Sequence, residues 1–296
     1  MSTASQYRGR FAPSPTGPLH FGSLVSALAS YLDARKNHGH WLLRIDDIDP
    51  PRELPGAIPV ILRQLEQHGL HWDETELYQS SRSAAYREIL AELRGQGLLF
   101  PCTCSRQLLA KRNGIHSGPC RASDASPQQA HALRIAVTSD ERVVFEDIFQ
   151  GRQVQDLNSE VGDFVLLRRD GLFAYQLAVV ADEAHQQISH VIRGADLLDS
   201  THRQIYLQQL LQFDIPDYGH IPVATGTDGE KLSKQNFARS LDEGSPVENL
   251  LNALSWIGYS VDTELLNATP EELLDWAVCR WHRNLLAGEK KRFAFC

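Results

Sequence analysis

No stretch of this sequence approaches the roughly 20 consecutive apolar residues that a membrane span needs. Its N-terminus also lacks the basic-then-apolar grading of a secretory signal. Basic charge is in deficit: 29 Lys and Arg against 37 Asp and Glu give a net charge of −8. That balance argues against a protein that coats nucleic acid non-specifically, while leaving room for a local basic groove. Cysteine is scarce and odd in number, five in all. A disulfide framework is therefore not expected; in the cytoplasm, the expected compartment, clustered thiols read as metal ligands. Internal repeats and low-complexity tracts are missing too. What is present is 296 residues with 42% hydrophobic content, which suits one nucleotide-sized α/β domain with appendages.

The chain is arranged around residues 10–23, RFAPSPTGPLHFGS. Residues 7–12 read as a short strand, the Pro/Gly segment as a turn, and His20-Phe21-Gly22-Ser23 as a helix start. Leu24, Ala27, Leu28, Tyr31 and Leu32 then repeat at helical spacing and mark one apolar face. A glycine-bearing loop thus delivers a His to a helix N-terminus, where unpaired N–H groups and the positive dipole end suit an anion. In the plainer reading Ser23 is the cap and His20 is incidental.

Residues 41–45 (WLLRI) read as a buried strand that ends in Asp46-Asp47-Ile48-Asp49. Carboxylates there lie where parallel sheets hold ligands, or serve turn chemistry. Helical spacing follows at Ile61, Leu62 and Leu65, and at Ala85, Ile89, Leu90 and Leu93. Cys102, Cys104, His116 and Cys120 supply four donors that suit a closed, tetrahedral structural zinc; free thiols are the plain alternative. Cys279 and His282 fall in a helical pattern without partners. Strands are expected over 132–137, 142–147, 163–168, 173–181 and 188–192, the last ending at Arg193-Gly194-Ala195-Asp196. Lys231 and Lys234, on a glycine-flanked loop, can close over a polyphosphate. Ser245-Pro246-Val247-Glu248 and Thr269-Pro270-Glu271-Glu272 read as capping boxes of a helical C-terminal region.

Taken together, RFAPSPTG with Leu19-His20-Phe21-Gly22, and Lys231-Leu232-Ser233-Lys234 much later, resemble the class I aminoacyl-tRNA synthetases of the glutamyl type. The first stretch is similar to the HIGH motif and the second to the KMSKS loop. Arg44 to Asp49, Ala174-Tyr175-Gln176, Arg193 to Asp196 and Ser200 to Gln204 match the family in order. The stretch after Lys234 looks too short for an anticodon-binding domain. With the Cys/His pattern, that resembles the shortened paralogues that attach glutamate to the queuosine base of tRNA(Asp).

The resemblance implies a doubly wound, Rossmann-like parallel sheet in two halves, 1–100 and 186–240. Between them it implies a zinc-bearing, acceptor-type insertion over 101–185, with a helical region over 241–296. It also implies a ligase acting on ATP with Mg2+, on L-glutamate and on queuosine-bearing tRNA(Asp), working as a monomer. By the same resemblance His20 and Lys234 are catalytic, and Arg10, Phe11, Ala12, Pro13, Ser14, Asp46, Tyr175 and Arg193 bind glutamate. ATP falls to His20, Gly22, Ser23, Lys231, Ser233 and Lys234, and zinc to Cys102, Cys104, His116 and Cys120. Three positions depart from the family: Ser23 replaces the second His of the HIGH motif, Asp46 replaces a Glu, and His116 stands where some relatives have Tyr. Lys111, Arg112 and Arg121 are the basic residues near the zinc pattern that could meet RNA, or simply face solvent.

Other readings share these motifs. A short glutamyl-tRNA synthetase charging a 3′ end is disfavoured by the length after Lys234. A non-catalytic paralogue is disfavoured by the presence of His20, Gly22, Lys231 and Lys234. An adenylating enzyme for another small metabolite is disfavoured by RFAPSPTG and Arg193.

Overall fold

The computed structural model describes residues 6–111, 113–116, 120–121, 130–138, 142–226, 240–261 and 263–294. Strand β1 (Arg8–Phe11) runs through a Pro/Gly turn into helix α1 (Phe21–Lys36), which returns the chain to β2 (His40–Ile45), parallel to β1. Helix α2 (Ala57–Gln67) precedes β3 (Leu77–Tyr78), parallel to β2, and α3 (Ser83–Gly95) follows. Then come β4 (Leu99–Cys102), α4 (Arg106–Ala110), β5 (Ala132–Ile135), β6 (Arg142–Asp147), β7 (Gly151–Asp156), α5 (Leu157–Glu160) and β8 (Phe164–Leu167). Among these, β4-β5-β8 form an antiparallel sheet and β6-β7 a hairpin.

Helix α6 (Tyr175–His185) leads back to β9 (His190–Gly194), α7 (Leu198–Leu210) and β10 (Asp217–Ile221), with β9 and β10 parallel. β9 lies beside β1, where the Ser189 N–H donates to Arg8 O at 3.0 Å. The chain ends in β11 (Val223–Thr225), α8 (Pro246–Ile257), α9 (Pro270–Arg280) and β12 (Lys291–Phe293), which pairs in parallel with β11.

The expected doubly wound α/β arrangement follows from how β2 is buried. Its residues 41–45 are all shut off from solvent, as in a strand covered on both faces. Trp41, Leu43 and Ile45 point into one core with α1, α8 and α9; Leu42 points into another with α3, α6 and α7. Helix α1 has more than one apolar face: Val25 and Ala29 are buried along with Leu24, Leu28 and Leu32. It packs between β1 and β9 on one side and α8 and α9 on the other.

Residues 173–181, expected as a strand, instead enter α6. Leu177, Ala178, Val179, Val180 and Ala181 are all buried, and a run apolar on every side carries no period to tell helix from strand. Of the two expected capping boxes, Thr269 completes both halves with Glu272, at 3.2 and 2.8 Å. At Ser245 the hydroxyl accepts from the Glu248 N–H at 3.1 Å, one half of the pair.

Candidate active site

β2 and β3 lie to one side of β1, and β9 and β10 to the other. The strand order therefore reverses between β1 and β9, where an open parallel sheet leaves a crevice beyond its strand ends. A cleft of about 490 Å3 opens there. Arg10 and Phe11 at the end of β1, with Ala12, Pro13 and Ser14, line it; so do Asp46 after β2, Tyr175 opening α6 and Arg193 near the end of β9. His20, Gly22 and Ser23 at the start of α1 line the same space. All expected glutamate residues thus meet the start of α1 in one cleft. Lys231, Ser233 and Lys234 lie outside the described residues.

His20, not Ser23, is the N-cap of α1. Its backbone is extended (φ −123°, ψ 174°) and its Nδ1 accepts from the Gly22 N–H at 3.1 Å. In the neutral ring that bond places the proton on Nε2, so the imidazole can donate to an anion beside the helix start.

Arg193 is 5% exposed and held among neutral groups. Nε donates to His220 Nε2 at 3.0 Å, and Nη2 donates to Thr201 Oγ1 at 2.8 Å and Gln204 Oε1 at 2.7 Å. Nη1 donates to the Tyr175 hydroxyl at 3.3 Å. Among the described residues Arg193 makes no ion pair.

The neighbouring guanidiniums are compensated from within the protein. Arg10 donates to Glu183 and Arg44 Nε to Asp46 Oδ1 at 2.7 Å. Burial lowers the Arg10 guanidinium from its ordinary value; Glu183 opposes this, and Arg44 and Arg193 add to it. Burial likewise raises Asp46 above the usual carboxylate range against the pull of Arg44 and Arg10. Arg44 Nη1, Arg44 Nη2 and Glu183 Oε2 are buried without partners among the described residues. Arg10 and Arg193 thus converge on the cleft, with Arg44 close enough behind them to act on Arg10.

A second cluster lies in the sheet of β4. Cys102, Cys104, His116 and Cys120 bring their donor atoms within 4.8 Å of one another. Cys102 Sγ is 3.5 Å from His116 Nε2, and Cys104 Sγ is 3.3 Å from Cys120 Sγ. Burial, then the Cys104 and Cys102 sulfurs, push the Cys120 thiol up to about 12. Three thiolates coexist here only around a cation. His116 Nδ1 is 2.9 Å from Asp163 Oδ2, which turns Nε2 toward the sulfurs. Gly162 permits this closeness: at its φ of +68°, a Cβ would sit 2.5 Å from His116 O. Arg121 donates to the same Asp163 through Nε at 3.0 Å and through Nη2, so it is committed to this cluster. Lys111 is exposed, Arg112 lies outside the described residues, and Cys279 is an exposed free thiol.

Residues 6–278 match the family model described as tRNA synthetases class I (E and Q), catalytic domain. The chain belongs to this family. It is a ligase of the class I aminoacyl-tRNA synthetase type. A glutamyl-Q tRNA(Asp) synthetase of Methylococcus capsulatus is 52% identical over 289 residues, 97% of this chain and 95% of that protein. One from Escherichia coli O157:H7 is 50% identical over 279 residues, 94% and 90% of the two chains. Among solved structures, a glutamate-tRNA synthetase from Elizabethkingia anophelis superposes with a TM-score of 0.81 at 23% identity. It covers 98% of this chain and 68% of that one, a likeness of fold.

The family's motif positions account for the cleft lining but not for what stands behind it. Glu183, Asp147, His220, Thr201 and Gln204 carried no chemical signal in the sequence, apart from the motif run that contains Thr201 and Gln204. No helix of the structure is long and apolar enough to cross a membrane among the described residues.

Proposed function

We propose that this ligase activates L-glutamate with Mg-ATP and then transfers the glutamyl group to queuosine in the anticodon of tRNA(Asp). The observation that carries the first step is the Arg193 guanidinium, buried among neutral partners only. A buried charge without a counter-ion is costly. The side-chain carboxylate of glutamate supplies it, with Arg10 and the Tyr175 hydroxyl beside it and Asp46 meeting the α-ammonium. Glutamine in the same place leaves the charge uncompensated, which gives the site its selectivity.

The α-carboxylate attacks the α-phosphorus of ATP, the bond to the bridging oxygen breaks, and pyrophosphate leaves with the electron pair. No protein nucleophile is needed, so stabilising charge on the phosphate oxygens is the main task. His20 Nε2–H and the Ser23 N–H, beside Gly22 at the start of α1, face that charge, with Lys231, Ser233 and Lys234 assigned to it by resemblance. Mg2+, arriving with ATP, neutralises phosphate charge. In the second step a hydroxyl of the queuosine cyclopentene ring attacks the adenylate carbonyl, and AMP departs. The names of the relatives supply this acceptor.

Zinc suits the Cys102, Cys104, His116 and Cys120 cluster, since tetrahedral thiolates at about 2.3 Å from zinc stand roughly 3.8 Å apart. Its place is structural, tying β4 to the segment that carries His116. A monomer working in the cytoplasm completes the reading. Exchange of labelled pyrophosphate into ATP tests the first step. The proposal expects exchange with glutamate and little with glutamine or aspartate; equal exchange with all three overturns it.

A further inference from the structure

Asp147 and His220 line no part of the cleft, yet both are wholly buried and joined, His220 Nδ1 lying 2.5 Å from Asp147 Oδ2. The other Asp147 oxygen accepts three backbone N–H groups, from Phe149 at 3.0 Å, Gln150 at 2.9 Å and His220 at 3.0 Å. A carboxylate held on four sides cannot turn. Residue 219 is a glycine because this turn presses on β10: a Cβ there would sit 2.8 Å from the Phe149 ring.

On its other edge the His220 ring meets the substrate site. Nε2 is 3.0 Å from Arg193 Nε and 3.1 Å from Thr201 Oγ1. A guanidinium can only donate, so Nε2 has to accept, and the single proton of a neutral ring belongs on Nδ1. Burial lowers His220 to about 4, the Asp147 bond opposing this and the Arg193 charge reinforcing it. The ring is neutral wherever the enzyme works.

We propose that Asp147 and His220 are positioning residues for glutamate recognition: Asp147 fixes the Nδ1–H tautomer of His220, and Nε2 of that tautomer holds the Arg193 guanidinium with Nη1 toward Tyr175 and the cleft. The inference rests on the reading of Arg193 as the carboxylate partner. Thr201 and Gln204 pin Nη2, but among the described residues only His220 pins Nε. The guanidinium is thereby fixed in plane as well as in position, which is what a directed contact from Nη1 to the substrate carboxylate, beside the Tyr175 hydroxyl, demands.

Asp147→Asn separates this from mere packing. The asparagine Oδ1 keeps the three backbone donors, so its amide N–H points at His220 Nδ1 and drives the proton to Nε2. Two donors then oppose each other at Arg193, the same tautomer error known from carboxylate-to-amide changes behind a catalytic histidine. In the full chain labelled with 15N-histidine, His220 shows the Nδ1–H tautomer in the wild type and the Nε2–H tautomer in Asp147→Asn. In pyrophosphate exchange, KM for glutamate rises about ten- to hundredfold, as for loss of one charge-assisted bond, while KM for ATP holds. His220→Gln, whose carbonyl oxygen reaches the depth of Nε2, keeps the glutamate KM within a few fold; His220→Leu does not. A flipped tautomer with unchanged glutamate KM overturns the inference, as does His220→Gln behaving like His220→Leu. If Arg193→Gln itself leaves the glutamate KM unchanged, the reading of the cleft falls and the positioning role with it.

Discussion

Arg10 donates from both Nε and Nη2 to one oxygen of Glu183, at 3.1 and 3.0 Å, in a pair almost wholly shut off from solvent. The contact spans the sheet from β1 to α6 and points the rest of the guanidinium at the cleft. Breaking such a pair from one side strands a buried charge. Glu183→Ala is expected to lose about 3–5 kcal/mol of stability in urea unfolding. Adding Arg10→Ala should recover part of that loss, because it removes one of three converging cations. A double variant less stable than Glu183→Ala alone would contradict this. Arg10→Ala on its own should cut kcat/KM for glutamate about ten- to hundredfold, at little cost to ATP.

Gln64 of α2 links the start of α1 to the chain just after the second phosphate motif. Its Oε1 accepts from the Leu19 N–H at 2.7 Å and its Nε2 donates to Ser240 Oγ at 3.3 Å. Ser240 forms a β-bridge with His20. Gln64→Leu leaves the buried Leu19 N–H without its acceptor, a loss of about 1–3 kcal/mol. The expected signature in steady-state kinetics is a several-fold rise in KM for ATP with KM for glutamate held. A rise in the glutamate KM alone would show that Gln64 serves the other side of the cleft.

Asp33 ties α1 to both ends of the described chain. It accepts from the Tyr7 hydroxyl at 2.6 Å, Trp281 Nε1 at 2.8 Å, and Arg283 Nε and Nη2 at 2.9 Å each. Burial alone would raise this carboxyl, but the Arg283, Tyr7 and Trp281 bonds hold it below its ordinary range. A depressed folded pKa contributes stability above the unfolded value, about 4, that is lost as pH falls through the folded one. Asp33→Asn should therefore cost about 2 kcal/mol at neutral pH, allowing for the partial exposure of Arg283. That deficit should shrink below about pH 4. A deficit that widens on acidification contradicts the assignment.

The Cys/His cluster predicts stoichiometric zinc in the purified protein, lost in His116→Ala. Asp163→Asn keeps all four donors but removes the charge that orients His116. Competition with a chelator should find zinc held about 10- to 100-fold more weakly in it. Undiminished zinc in His116→Ala would remove His116 from the ligand set.

How much of this was legible in the sequence depended on how far apart the partners lie. The turn from β1 into α1 was readable because Pro13, Pro15, Gly17 and Pro18 leave the backbone few choices. The Cys/His cluster was readable because Cys and His in close spacing have few uses other than holding a metal. Helix α6 gives no helical period over residues 177–181, which are apolar on every side. Arg10 and Glu183, 173 residues apart, and Asp147 and His220, 73 apart, meet only once the sheet has closed. No local pattern could pair them. Arg44 opens a stretch that matches the family, but its pairing with Asp46 shows only once both are buried at the end of β2.

The proposed acceptor of glutamate is queuosine and not a 3′ end. Labelled glutamate, Mg-ATP and the full chain are mixed with two tRNA pools, one from cells that make queuosine and one from cells that cannot. Label is expected in the queuosine-containing pool alone. Equal labelling of both pools would contradict it and make this a short glutamyl-tRNA synthetase.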